Sequence, residues 1–168
     1  MPNAANLLEW VAILLVMIGL IAAAINDAFT YLIPNRYVAL IILAYVAYAI
    51  CQPGLFWLHG LVAAAICFAF GLVLFERVLG GGDVKLATAC ALWAGSDQAV
   101  LLAFVTALVG GVLSIAQLSP LYRLMPAPPG GVVGGNDFRS KLRRPVPYGV
   151  AIAIGGVCVV INRFMSWS

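Results

Sequence analysis

At 168 residues the chain is long enough for one domain. Hydrophobic residues make up 64% of it and charged residues 9%, where a soluble domain carries roughly 25% charged residues. With a mean hydropathy of +1.08 and only 9 basic and 6 acidic residues, a soluble globular domain, a disordered chain and a nucleic-acid-binding module are excluded. What remains is a compact, all-α polytopic membrane protein. A span takes about 20 apolar residues, so six spans leave little chain for anything outside the bilayer.

The first apolar run is preceded by Glu9 and by no Lys or Arg. It therefore lacks the basic segment of a signal peptide and predicts a retained helix over about 7–26. A loop follows from Asp27 to Arg36 and contains Ile33-Pro34-Asn35. Tyr37 to Phe75 is uncharged and is divided by the turn signal Gln52-Pro53-Gly54, which predicts helices over about 37–51 and 55–75. Glu76-Arg77 and Gly80-Gly81-Gly82-Asp83 come next. Leu86 to Ser96, between Lys85 and Asp97, is too short to span alone. Either it is a half-buried segment, or a helix over about 80–96 carries Asp83 and Lys85 inside the membrane boundary. Further helices are expected over about 98–119 and 146–162. Between them, about 123–145 reads as a mobile loop rich in Pro and Gly, with Arg139, Lys141, Arg143 and Arg144.

The loops after the first, third and fifth predicted helices hold Arg36, Arg77, Lys85, Arg123, Arg139, Lys141, Arg143 and Arg144. The remaining basic residue is Arg163. The positive-inside rule puts those loops in the cytoplasm and both termini outside. Trp10, Trp57, Trp93 and Trp167 fall near predicted membrane boundaries, as an aromatic belt does, and His59 falls near the outer end of the third helix. Cys51, Cys67, Cys90 and Cys158 are scattered in apolar surroundings without a CxxC pair, so no metal site or other cofactor is expected.

This topology brings Asp27 and Asp83 to one membrane face. An ionisable residue at membrane depth is costly and is a functional candidate by default. Two carboxylates that approach one another share a proton. The ionised member then takes a proton from water while the protonated one polarises a peptide carbonyl. Taken singly, Asp27 also reads as a helix-end residue solvated by headgroups, and Asp83 as a helix-capping acid. Gly80-Gly81-Gly82 reads either as a place of close chain approach beside a carboxylate or as a flexible interhelical loop.

The run Gly80-Gly81-Gly82-Asp83-Val84-Lys85-Leu86 resembles the GxGD-x-K motif of the type IV prepilin peptidases. Asp27 with Ile33-Pro34-Asn35 is similar to that family's first aspartate motif, and Pro147-Tyr148-Gly149-Val150-Ala151 to the start of its last helix. The three segments occur in the family's order over nearly the whole chain. The resemblance implies the GxGD aspartic protease fold and an endopeptidase that removes the basic leader of a prepilin at the cytoplasmic face of the inner membrane. It makes Asp27 and Asp83 the catalytic pair. It makes Gly80, Gly81 and Gly82 site-shaping, and sets Lys85 beside the site or snorkelling to headgroups. Pro34, Asn35, Pro147, Tyr148 and Gly149 are then holders of helix ends. Larger relatives carry paired CxxC motifs and a methyltransferase activity, and this sequence has no CxxC. It looks like the short, peptidase-only branch that processes Flp-type pilins of tight-adherence systems, with N-methylation not expected. The partners implied are a prepilin and the bilayer, with no nucleic acid. A proton relay or transporter and a non-catalytic assembly factor are the alternative readings of the same residues.

Overall fold

A computed structural model of the chain describes residues 4–51, 56–75, 80–118 and 146–165. Every element in them is a helix: α1 (Ala4–Thr30), α2 (Asn35–Cys51), α3 (Phe56–Phe75), α4 (Gly81–Leu118) and α5 (Tyr148–Met165). Among the described residues four apolar stretches are long enough to cross a membrane, Leu7–Thr30, Trp57–Leu74, Gly81–Gln117 and Tyr148–Met165, and the apolar part of α2, Asn35–Ile50, is shorter. The protein is a multi-pass helical membrane protein. The turn expected at Gln52-Pro53-Gly54, the Glu76-Arg77 pair, the basic loop and Trp167 lie outside the described residues.

The packing inverts the pattern of a soluble bundle. Small residues such as Ala12, Ala23, Ala44, Ala89 and Ala94 fill the interior, while Leu14, Phe70, Val73 and Ile115 face outward. Lipid tails are as apolar as a core, so helices associate here through close packing of small residues. Gly71 lies against Val84, and Gly156 against Cys90 and Leu20, with no room at either for a Cβ.

As one straight rod, the 38 residues of α4 would run about 57 Å, against a hydrocarbon core of about 30 Å. The helix is broken at Gly95, whose backbone (φ 60, ψ −170) belongs to a region open almost only to glycine. The neighbours show that the chain reverses there. In the first limb, residues 81–94, Cys90 meets Ile152 and Gly156, and Trp93 meets Arg163, so this limb runs parallel to α5. In the second limb, residues 96–118, Thr106 and Leu102 meet Gly155 while Gly110 meets Tyr148, so this limb runs antiparallel to α5. The break expected near Asp97 thus falls two residues earlier, at the glycine. It frees carbonyls at the end of the first limb. The buried Arg163 guanidinium donates to one of them, that of Trp93. Gly95→Ala should destabilise the protein by about 1–3 kcal/mol, read as a lowered Tm in detergent.

Two sequence expectations are corrected. Helix α1 does not stop before Asp27 but continues through it to Thr30. Asp27 still offers its carbonyl to the Tyr31 amide at 2.9 Å. The helix ends at Tyr31 (φ 53), where the Asn26 side-chain amide donates to the Leu32 carbonyl at 2.6 Å. Trp93 is not part of an aromatic belt. It is 2% exposed, its indole donates to the Ile41 carbonyl at 3.2 Å, and Tyr45 and Tyr48 pack on its ring.

All rods run alternately up and down. Asp27, Asn35, Gly80–Asp83 and Gly149 share one end of the bundle, through contacts described below. At the opposite end, Trp10 meets Phe164 edge-on with ring centroids 4.7 Å apart, and His59 bonds Ser96 at 2.8 Å. Both ends of the described chain are therefore remote from the aspartates.

Candidate active site

Three helix ends meet around the two carboxylates: the last turn of α1, the first turn of α4 and the first turn of α5. Asp27 is 4% exposed. A carboxylate in the last turn of its own helix meets the unfavourable end of the helix dipole. That is offset by the start of α5, where the Val150 N–H donates to Asp27 Oδ2 at 3.2 Å. Pro147 sets up this arrangement. It precedes the helix, its carbonyl accepts the Val150 N–H at 3.3 Å, and its fixed φ suits a helix start.

Asp83 is half-buried in the first turn of α4. Its Oδ2 accepts the Gly80 N–H at 3.2 Å, while the Gly80 carbonyl accepts the Val84 N–H at 3.2 Å. This is the back-bonding half of a capping box. The capping reading of Asp83 is thus correct as a description of one oxygen, and it aims the carboxyl group. Asp83 and Asp27 come to the same place through Ile33, which lies against Gly82, the residue before Asp83, and beside Asp27 against Gly149.

The glycines are dictated by proximity. A Cβ on Gly149 would sit 2.7 Å from Asp27 Cγ and 2.7 Å from Ile33 Cδ1. A Cβ on Gly82 would sit 3.1 Å from Ile33 Cβ, and one on Gly80 3.3 Å from Asp83 Oδ2. Gly81 opens α4 and is half-buried. Ile33 is quoted in the first aspartate motif but is given no role of its own by the sequence. It fills the space between Gly82 and Gly149, linking the short α1–α2 connection to both carboxylate-bearing ends. Its only signal was its place beside Pro34 and Asn35, since an isoleucine in an apolar sequence does not announce its neighbours.

The remaining motif residues stand around this centre. The Pro34 carbonyl accepts the Tyr37 N–H at 3.1 Å and starts α2. Lys85 Nζ donates to Asn35 Oδ1 at 3.2 Å. Lys85 follows Asp83 by two positions, about 200° around the helix, so it stands on the other side of α4 and ties α4 to α2. The Tyr148 ring lies against Gly110 of the second limb. Among the described residues, no group of three or more His, Cys, Asp or Glu side chains is placed to hold a metal ion.

The fold and site define a class: a multi-pass helical membrane protein with two carboxylates from separate helices gathered at one end of the bundle. The family model described as type IV leader peptidase family matches residues 14–115, which takes in both aspartates. The chain belongs to that family. It is also similar to a prepilin leader peptidase/N-methyltransferase of Bacillus subtilis (strain 168), 28% identical over 141 residues, 82% of this chain and 50% of that protein. The chain therefore spans about half the length of this relative. No solved structure matches it.

Proposed function

We propose that the protein is a membrane-embedded aspartic endopeptidase that removes the N-terminal leader from prepilins, of the Flp type, at the cytoplasmic face of the inner membrane. The observation that carries this reading is the gathering of Asp27 and Asp83 around Ile33 at one end of the bundle. They come from helix ends far apart in sequence, and each is aimed by a backbone amide at a helix start. Family membership supplies the leader-peptidase class.

In this reading the two carboxylates share one proton. One accepts a proton from a water molecule as that water attacks the scissile carbonyl. The other donates its proton to the carbonyl oxygen. Collapse of the tetrahedral intermediate passes a proton to the leaving amine and frees the leader. Asp27 is the more buried of the two, packed against Gly149, while Asp83 is more open to an incoming chain. The position of both acids at one end of the bundle, instead of at mid-depth, favours peptide hydrolysis over an ion pathway.

The topology follows from the same reading. With α4 reversed at Gly95, the chain crosses the membrane six times, and both termini lie outside. Arg36 and Lys85 stand at the aspartate end, where the positive-inside rule puts the cytoplasm. Co-expression with an Flp-type prepilin tests the function: the wild-type chain should convert the prepilin to a faster-migrating form whose N-terminus lies past the basic leader. An unchanged prepilin would contradict the proposal.

A further inference from the structure

The connection between α1 and α2 spans residues 31–34, and it carries Ile33 to the place where Gly82 of α4 and Gly149 of α5 leave room for it. Asn26, half-buried near the end of α1, directs that connection. An asparagine amide has two N–H donors, and both are used here. The Asn26 side-chain amide donates to Thr30 Oγ1 at 2.9 Å and to the Leu32 carbonyl at 2.6 Å. The Thr30 hydroxyl in turn donates to the Asn26 carbonyl at 2.8 Å. Leu32 lies outside the helix, just past Tyr31 with its positive φ, so the bond to Leu32 folds the chain back against α1. The Leu32 carbonyl and the Ile33 nitrogen belong to one planar peptide unit, so holding the first orients the second. The Ile33 nitrogen is itself in the contact: a Cβ on Gly82 would sit 3.6 Å from it.

We propose that Asn26 is a positioning residue for the two carboxylates, which holds the Leu32 carbonyl and thereby seats Ile33 between the helix starts that carry Gly82 and Gly149. The kinetic part of the proposal rests on the leader-peptidase function above and adds to it the residue that keeps the site assembled. Ile33 bridges the two helix starts with opposite ends of one side chain. Its Cβ would be 3.1 Å from a Cβ on Gly82, and its Cδ1 2.7 Å from a Cβ on Gly149. A β-branched side chain has few rotamers, so a shift of the Ile33 backbone moves both contacts together. The first of these helix starts carries Asp83, and the second carries the Val150 amide that holds Asp27. A cap of α1 alone needs the bonds between Asn26 and Thr30. The bond to Leu32 belongs to the connection.

The test uses the full chain in liposomes and begins with a measurement that needs no substrate. Asn26→Leu keeps a helix-forming side chain of similar size and donates no hydrogen bond. Amide hydrogen exchange in this variant should quicken roughly tenfold over residues 31–37, and also at the Gly80 and Val150 amides that bond the two carboxylates. The turn at Gly95, at the opposite end, should keep its wild-type protection. Asn26→Ala, which also donates nothing, should behave alike. Faster exchange confined to residues 31–37 would make Asn26 a cap of α1 alone and overturn the proposal. On an Flp-type prepilin, well below the Tm of each variant, kcat of Asn26→Leu should fall roughly tenfold with KM within about twofold, because carboxylates move and substrate contacts do not. Combined with Ile33→Ala, it should be no slower than Ile33→Ala alone, since Asn26 acts through Ile33. Losses that multiply, or a wild-type kcat for Asn26→Leu, would contradict the proposal. Ser96→Ala, which loses the bonds to His59 and Asp97 at the remote end, should match wild type. If the wild-type chain cleaves no prepilin, the function proposed above fails, and the exchange measurement still decides whether Asn26 seats Ile33.

Discussion

Asp27→Asn and Asp83→Asn should each lower prepilin cleavage by at least about a thousandfold, with protein level and Tm unchanged. The fold is expected to survive because asparagine keeps the size and one carbonyl oxygen of the side chain. That oxygen can still accept the Val150 amide at position 27 or the Gly80 amide at position 83. What asparagine removes is the ability to hold and pass a proton. In the proposed mechanism the two acids act as one unit, so the double variant should be little worse than either single one. Full processing by either single variant, measured as initial rate on a reconstituted prepilin, would remove that residue from the reaction. If both variants cleaved normally, the assembly-factor reading would replace the enzymatic one.

Gly149→Ala is the second large effect, and it tests geometry instead of chemistry. The added Cβ would meet Asp27 Cγ, Asp27 Oδ2 and Ile33 Cδ1, each at 2.7 Å, closer than real methyl contacts come. The carboxyl group must move, and a displacement of about 1 Å at a reacting group costs on the order of a hundredfold in rate. We expect kcat/KM to fall by about that factor. Adding Ile33→Val removes the Ile33 Cδ1 contact and leaves the collision with Asp27, so the double variant should not recover activity. Gly111→Ala is the matched control, because a Cβ at Gly111 meets nothing within 4 Å. Wild-type kinetics for Gly149→Ala would mean that the Asp27 carboxyl is not held where the reaction needs it.

The helical, membrane-embedded character was legible because a run such as Tyr37 to Phe75 has no charge that could sit in hydrocarbon. The pairing of Asp27 with Asp83 was legible from parity, because counting helix crossings puts both acids at one end without any knowledge of packing. Charge was a poorer guide to where helices stop. Asp27 marked a loop in sequence reasoning, but α1 carries it inside, because the partners that make its burial tolerable are amides of α5 that no local window contains. Such conflicts between local preference and global fold gather at functional sites. Asp97 likewise drew the expected break away from Gly95, where a positive φ decides it. Trp93 looked interfacial by its place in a run, whereas its indole N–H finds the Ile41 carbonyl deep in the bundle. Lys85 was grouped with Asp83 by the motif they share. The helical repeat separates them, and gives Lys85 to Asn35 instead.

The most direct measurement is intact-mass analysis of a purified Flp-type prepilin after incubation with the purified chain in liposomes, with no other protein present. The expected result is two products, the leader and the mature pilin, whose masses sum to the prepilin plus one water. Neither product should form with Asp27→Asn or Asp83→Asn. An uncut prepilin with the wild-type chain, or cleavage that persists when both aspartates are replaced, would contradict the assignment of this protein as an aspartic prepilin peptidase.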